Sequence, residues 1–383
     1  MTGVGGLADR KNLAEIAIIL EALPARCGDC FLVSCQRPDS TWRLLVDTGP
    51  DETWPVLRNR LSNIPLNEEG RRTLDLVIVS HIDHDHIGSA PFLFSDETLG
   101  LSFGDVWFNG RHHLERGVAE GETLSELLSA RDRQLPWNKA FDGGAVVTPG
   151  EGQFVEVPRQ PGEPCITLLS PTPKQLTRLA TVWDNELQKL RSCESNTRDD
   201  LERGSKFPDL EALAALSSRL DSTPPNGSSI AILLEHRGVS LLLAADAFPI
   251  DLSTALLGVI EHRGISHPHC VNVFKLSHHG SRANIVSELL GVVRAEDYVV
   301  STNGRYGHPS DEALARVVLY GGEEPTLWFN HITKRNQRWA DPVLQTKYKF
   351  HTHFPKDPAD GVTLLCRPRA AGRSDDKDDR TEV

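Results

Sequence analysis

The sequence predicts an α/β fold in which two β-sheets pack together and carry a site on loops along one edge. Strand-like runs appear early in the chain and again late, with helical patterns between them. Several of those strands end directly in His or Asp clusters. The composition, 39% hydrophobic and 25% charged over 383 residues, is ordinary globular and allows one large core without forcing a second domain.

In order, residues 1–12 are polar and read as a flexible N-terminus, before a single domain over 13–368. IAIILEAL and CFLVSC read as strands joined by the turn ARCGD, and WRLLVDTG as a third strand ending in Asp47 and Gly49. ETWPVLRNRLSNI has the spacing of an amphipathic helix. LDLVIVS is continuously apolar and β-branched, as a strand buried on both faces should be, and it runs straight into HIDHDHIG. FGDVWFNG is a further strand. An insertion over about 111–225 is mostly helical in pattern (ETLSELLSARD, LTRLATVWDNELQKLRS, DLEALAALSSRL), with short strands at GAVV and ITLLS and a polar loop at 193–209. Strands resume at SIAILLEH, VSLLLAAD, VNVFKLS and DYVVST. DEALARVVLY is a helix, TLWFNHI and GVTLLC close the fold, and the charged tail 369–383 reads as disordered.

The net charge of −12 argues against a tight non-specific nucleic-acid binder, which usually shows a basic excess. It does not exclude a phosphoesterase, because acidic metal ligands themselves add negative charge. Seven scattered cysteines do not form a disulfide framework. Cys27 and Cys30 make one Cys-x-x-Cys without the second pair a structural zinc site needs, so they are read as core or strand-end residues. No apolar run approaches the ~20 residues of a membrane span. The expected setting is therefore soluble, reducing and cytoplasmic, without a membrane partner; oligomeric state is left open.

The chemistry concentrates in His81-Ile82-Asp83-His84-Asp85-His86-Ile87-Gly88, with five ionisable side chains in six residues at the end of a buried strand. Such a cluster is costly to bury unless a cation neutralises it, and a divalent ion binds both imidazole nitrogen and carboxylate oxygen. Gly88 suits a tight turn or a close backbone approach behind those ligands.

SHIDHDHIG resembles the metallo-β-lactamase signature H-x-H-x-D-H followed by a small residue. LVDTG matches the strand-end Asp-x-Gly that precedes it, and LLLAADA places Asp246 where that family has a metal-bridging Asp. KLSHHGS, residues 275–281, matches the late metal-binding His segment. NGSSIAILL, with Asn226 and Ser229, and STNGRYGHPS, with His308, resemble one branch of the family. That branch includes the hydrolase domain of the competence protein ComEC and choline-phosphate esterases. The resemblance implies an αββα sandwich of two mixed sheets flanked by helices. It also implies two divalent ions, zinc or manganese, held by His81, Asp83, Asp85, His86, Asp246, His278 and His279.

Two departures stand out. Asp83 occupies the place of the second signature His, a harder oxygen ligand that makes manganese plausible beside zinc. The mid-chain His ligand has no clear counterpart, and His112 and His113 are the candidates. Of His278 and His279, one is expected on metal and the other near substrate, with neither assigned. His84 is expected behind the ligands or facing outward, and the remaining histidines are ordinary.

Two ions sharing a bridging water would lower its pKa toward neutrality and supply a hydroxide nucleophile. Asp85 would bind metal and orient that water, and His279 or His308 would sit beside the reacting group. Asn226, Ser229, Ser281, Arg282 and Arg305 are the candidate substrate contacts, the arginines for a phosphate. The expected substrate is a phosphoester, with nucleic acid included. The competing readings are a di-iron oxidoreductase of the same fold and a metal-binding regulator with little turnover. Lactam or thioester hydrolysis is also compatible with the fold. No glycine-rich nucleotide-binding unit supports the oxidoreductase.

Overall fold

The computed structural model describes residues 16–114, 123–129, 135–191 and 209–368. The first sheet contains β1 (Ile18–Ala22), β2 (Phe31–Gln36), β3 (Thr41–Val46), β4 (Arg72–Ile78), β5 (Leu101–Trp107) and β14 (Val362–Cys366). Its order is β14-β1-β2-β3-β4-β5. The second contains β6 (Val155–Val157), β7 (Cys165–Ser170), β8 (Ala231–His236), β9 (Val239–Leu243), β10 (His269–Lys275), β11 (Val293–Val300), β12 (Thr326–Phe329) and β13 (His351–His353), in reverse sequence order across the sheet. Both sheets are mixed, with parallel pairs at β3–β4–β5 and throughout β9–β13.

Alternation along each strand builds three apolar layers. Leu44 and Val46 of β3 meet Leu241 and Leu243 of β9 in the core between the sheets. Leu45 faces the other way, toward Leu57 and Leu61 of α1 (Trp54–Ser62), joined by Leu179 and Trp183 of α2 (Pro173–Arg191). Leu242 faces Leu252 and Leu256 of α3 (Pro249–Arg263) and Leu314 and Val317 of α4 (Asp311–Tyr320). Because both faces of the central strands are covered, their sequences read as unbroken apolar runs. The result is two mixed sheets flanked by helices. No helix among the described residues is long and apolar enough to cross a membrane.

Several local expectations shift. GAVV is not a strand, because the Asn109 side chain takes a partner strand's role, donating to Val146 O at 2.9 Å and accepting from Val146 N at 2.8 Å. Within 111–225, β6 and β7 extend the second sheet beside the helices. The helix expected over DLEALAALSSRL stops after Leu210–Ala214. There the buried Arg316 guanidinium takes the carbonyls of Ala214 and Leu216, which a longer helix would have used itself. Strand β13 was not anticipated, and β14 closes the first sheet beside β1. The N-terminus 1–12, nearly all of the loop 193–209 and the tail 369–383 lie outside the described residues.

Parallel pairing puts the carboxyl ends of β3 and β4, and of β9, β10 and β11, along one edge of the sandwich. Ile230 N donates to Ser80 O at 3.0 Å there, tying one sheet to the other. Carboxyl ends of parallel strands are where open α/β sheets place their ligands.

Arg316 also donates to the carbonyls of Arg282 and Ile285, just beyond the His278–His279 turn. Arg316→Met should leave several buried carbonyls without a donor and destabilise the protein by on the order of 3 kcal/mol. Urea denaturation checks this, and an unchanged midpoint would contradict it.

Candidate metal centre

Five segments leave the strand ends and converge. Asp47 follows β3; His81, Asp83, Asp85 and His86 follow β4; Asp246 follows β9; His278 and His279 follow β10; Ser301 follows β11. The backbone is left-handed at Asp47 (φ 57°), Ala245 (φ 45°), His278 (φ 49°) and His279 (φ 54°). Each such non-glycine residue costs about 1–2 kcal/mol, and the concentration of strain here aims side chains at one point. Gly88 has an ordinary φ of −52°, so its contribution is room: a Cβ there would lie 2.7 Å from His84 O and 2.8 Å from Asp51 N. Gly28 is tighter still, with a Cβ falling 1.7 Å from Asp85 O.

The focus is Asp246 Oδ2. His86 Nε2 lies 3.5 Å from it, His278 Nε2 and His279 Nε2 each 3.8 Å, and His81 Nε2 4.0 Å. His279 Nε2 is also 3.2 Å from Asp85 Oδ2, and His81 Nε2 is 3.6 Å from Asp83 Oδ2. The Nε2 atoms of His81, His86 and His279, and Asp246 Oδ1, are shut from solvent without a hydrogen-bond partner. One such atom costs about 1–3 kcal/mol.

The opposite edges of the rings are committed. His86 Nδ1 donates to Asp47 Oδ2 at 2.8 Å, and His279 Nδ1 donates to Ser301 O at 2.8 Å. His81 Nδ1 meets Ser80 Oγ at 3.0 Å and Ser229 Oγ at 3.3 Å. His278 Nδ1 meets Asp221 Oδ2 at 3.1 Å, with Asn226 and Asn284 beside it. A donor at Nδ1 leaves the neutral ring's Nε2 lone pair aimed inward, the usual orientation of a metal-bound imidazole. Unpartnered imidazole nitrogens around carboxylate oxygens therefore fit one or more divalent ions. Asp29, His86, Asp246 and His279 also offer ligand-capable atoms all within 4.8 Å of one another.

Electrostatics points the same way. Burial alone would raise the Asp246 carboxyl, but His86, His278 and His279 outweigh it and hold it well below its ordinary range. Burial alone would lower His279, yet Asp246 and Asp29 push it up to about 10. His86 and His278 are raised as well, against burial, with Asp246 as the leading cause. Without a cation these protons balance the carboxylates, and a divalent ion must displace them. His308 goes the other way: burial first, then the neighbouring His278 and His279, push it down to about 3.

The remaining expected residues are placed as follows. His308 is half-buried, its ring 5.0 Å from that of His278 and 6.5 Å from that of His279. His84 turns outward, its Nδ1 4.0 Å from Asp51. Asn226 and Ser229 are buried behind the centre, against His278 and His81, with Ser229 Oγ accepting from Asp246 N at 3.3 Å. Ser281 Oγ accepts from Ala283 N within its own turn. Arg282 reaches Glu312 at 3.2 Å with its side chain 56% exposed. Arg305 is exposed, its guanidinium 5.6 Å from the Tyr306 ring, and its charge is felt at Cys27. His113 packs edge-on against Trp137 and contacts Asn138, and the side chain of His112 lies outside the described residues. Cys27 and Cys30 are free and buried.

Sequence reasoning missed Asp29, Ser80, Asp221 and Lys275. Only Lys275 left a signal, a charged residue inside the otherwise apolar run VNVFKLS. The other three sit in turns or polar stretches where such residues are common.

A model of the metallo-beta-lactamase superfamily matches residues 28–97, which carry β2 to β4, α1 and the His81–Gly88 cluster. Comparison with curated proteins gives no match. The architecture is that of the metallo-β-lactamase fold, and with the grouped donors it fits a metal-dependent hydrolase.

Asp246→Ala should lose most bound metal, whereas His84→Ala should keep the wild-type content; elemental analysis of both proteins decides, and equal losses would contradict the geometry. The pH dependence has a definite sign. His279 is raised from 6.5 to about 10, so its contribution to the metal-free fold is complete below pH 6.5 and is lost as pH rises through about 10. The chelated protein should therefore lose melting temperature across that window while the loaded protein does not. Metal loading at neutral pH should release protons, measurable with an indicator in weak buffer.

Proposed function

We propose that this metallo-β-lactamase-fold chain is a dinuclear metal-dependent phosphoester hydrolase, a phosphodiesterase or nuclease. The observation that carries the reading is the division of donors about Asp246. Asp83 pairs with His81 on one side and Asp85 with His279 on the other, and the His86 ring lies between them, 4.2 Å from that of His81 and 5.2 Å from that of His279. Asp246 Oδ2 is shared between the two groups. His278 is assigned to the first group, where the family's mid-chain His has no clear counterpart in this chain. Asp221 orients it as a carboxylate orients a metal-bound imidazole.

Two bound divalent ions would supply Lewis acidity and bring the pKa of a coordinated water toward neutrality. The chain's own groups do the rest. Asp85 and Asp246 would hold the ions, while Asp47, Asp221 and the Ser301 carbonyl fix the rings around the reacting centre. His308, neutral across the physiological range, can donate a hydrogen bond to a substrate oxygen but holds no proton in reserve. Ser80, Ser229 and Asn226 hold the imidazoles in orientation.

Cationic side chains lie near the centre. The charge of Arg335 is felt at His308, that of Arg305 at Cys27 beside Asp85, and that of Arg26 at His331. Together they suit an anionic substrate in an otherwise acidic protein. The segments around Asn226 and His308 resemble the ComEC and choline-phosphate esterase branch, whose members act on phosphoesters. Lys334 and Arg338 extend the basic strip beside Arg335, although Arg338 is paired with Asp311. A nucleic-acid substrate would be held through this local patch, in a salt-sensitive way.

The test is a hydrolysis screen over single- and double-stranded DNA, RNA and a bis-aryl phosphodiester with several metals. Turnover is expected with manganese at least as well as with zinc, because Asp83 adds a hard oxygen donor. Asp83→His should shift the preference toward zinc while retaining activity. Arg335→Ala should raise KM roughly tenfold with kcat nearly held, the loss of one charged contact. No phosphoester turnover with any metal, alongside lactam cleavage or oxygen consumption, would overturn the proposal.

A further inference from the structure

Lys275, at the end of β10, is 1% exposed and lies against the metal centre. An ammonium carries three donors and must find oxygens when buried. Lys275 Nζ donates to Ala245 O at 2.9 Å, contacts Asp29 Oδ2, and lies 3.8 Å from Asp246 Oδ1. One backbone carbonyl and two carboxylates are the ligand set of a hard, oxygen-seeking cation.

Both carboxylates retain an unsatisfied oxygen. Asp29 Oδ1 and Asp246 Oδ1 are sealed from solvent without a hydrogen-bond partner, in side chains 1% and 4% exposed. Asp29 is also close enough to the centre to join it, 3.8 Å from His86 Nδ1 and 3.3 Å from His279 Nδ1. It faces the wrong edges for that. Both Nδ1 atoms are committed to Asp47 and Ser301, while both Nε2 atoms face Asp246. Asp29 is therefore grouped with the donors by distance but bound to Lys275 by charge.

We propose that Lys275 is a tethered cation: its ammonium fills a third cation position formed by Asp29, Ala245 O and Asp246 Oδ1, and so withholds Asp29 from the metals. Asp246 is then divided by atom, with Oδ1 turned to the lysine and Oδ2 to the imidazoles. The inference rests on the metal-centre reading above, which the metal content of the wild-type protein tests separately.

Lys275→Ala removes the ammonium and leaves room for an ion. Equilibrated with Mn²⁺, it should bind one more manganese per chain than the wild type, and its melting temperature should rise with Mn²⁺ more steeply. Lys275→Ala combined with Asp29→Asn should lose the additional ion. Lys275→Met combined with Asp29→Asn, which neutralises the buried pair without opening a site, should fold with wild-type metal content. Asp29→Asn alone should also keep the wild-type content. A folded Lys275→Ala with wild-type stoichiometry would overturn the proposal. So would a Lys275→Ala that Mn²⁺ fails to rescue while the Lys275→Met, Asp29→Asn double variant folds. Metal loss in Asp29→Asn as deep as in Asp246→Ala would instead make Asp29 a ligand, and the proposal would fall.

Discussion

One carboxylate oxygen organises this molecule. Four imidazoles turn Nε2 toward Asp246 Oδ2 at 3.5–4.0 Å, and the Nε2 atoms of His81, His86 and His279 are closed to water. Carboxylates packed so closely repel one another, and imidazole nitrogens so buried lack solvent to satisfy them. The arrangement persists because every outer edge is tied. Asp47 holds His86, Ser301 holds His279, Asp221 holds His278, and two serines hold His81. The left-handed backbone at Asp47, Ala245, His278 and His279 is the conformational cost of the same convergence.

The two sheets contribute unequal halves. The first supplies Asp47 and the His81–His86 run, and the second supplies Asp246, the histidine pair and Ser301. The centre thus lies on the seam, where Ile230 N already bonds Ser80 O. A cation bound there would hold the sheets together, so metal binding and folding would share free energy. Arg316 plays a comparable part on the outer side, joining α4 to the turn behind the histidine pair through backbone carbonyls.

Charge is distributed by depth. Lys275 is buried against Asp29 and Asp246, where removing one partner would leave the other stranded. His308 is nearer the surface and is kept neutral by burial and by its imidazole neighbours. Arg26 and Arg305 are exposed and Arg335 half-buried. Buried carboxylates thus give way to outer guanidiniums in a protein of net charge −12.

The sequence by itself marked most of the strands and the main cluster of candidate donors. Unbroken apolar runs point to strands covered on both faces, and a dense His/Asp cluster at the end of one of them points to a cation. Those local facts survive whatever the chain does elsewhere. It could not separate His278 from His279, because adjacent residues are distinguished only by the backbone turn that aims them. The structure turns both Nε2 atoms inward, with His279 beside Asp85 and His278 held by Asp221. Nor could it find Asp29 or Asp221, since a single carboxylate in a turn looks like any solvated one until a distant residue packs against it. GAVV read as a strand because its pattern is a strand's, but its partner is the Asn109 side chain. Periodicity and composition are written residue by residue. Which group faces which across the seam between two sheets is set by long-range packing, and only the tertiary structure decided it.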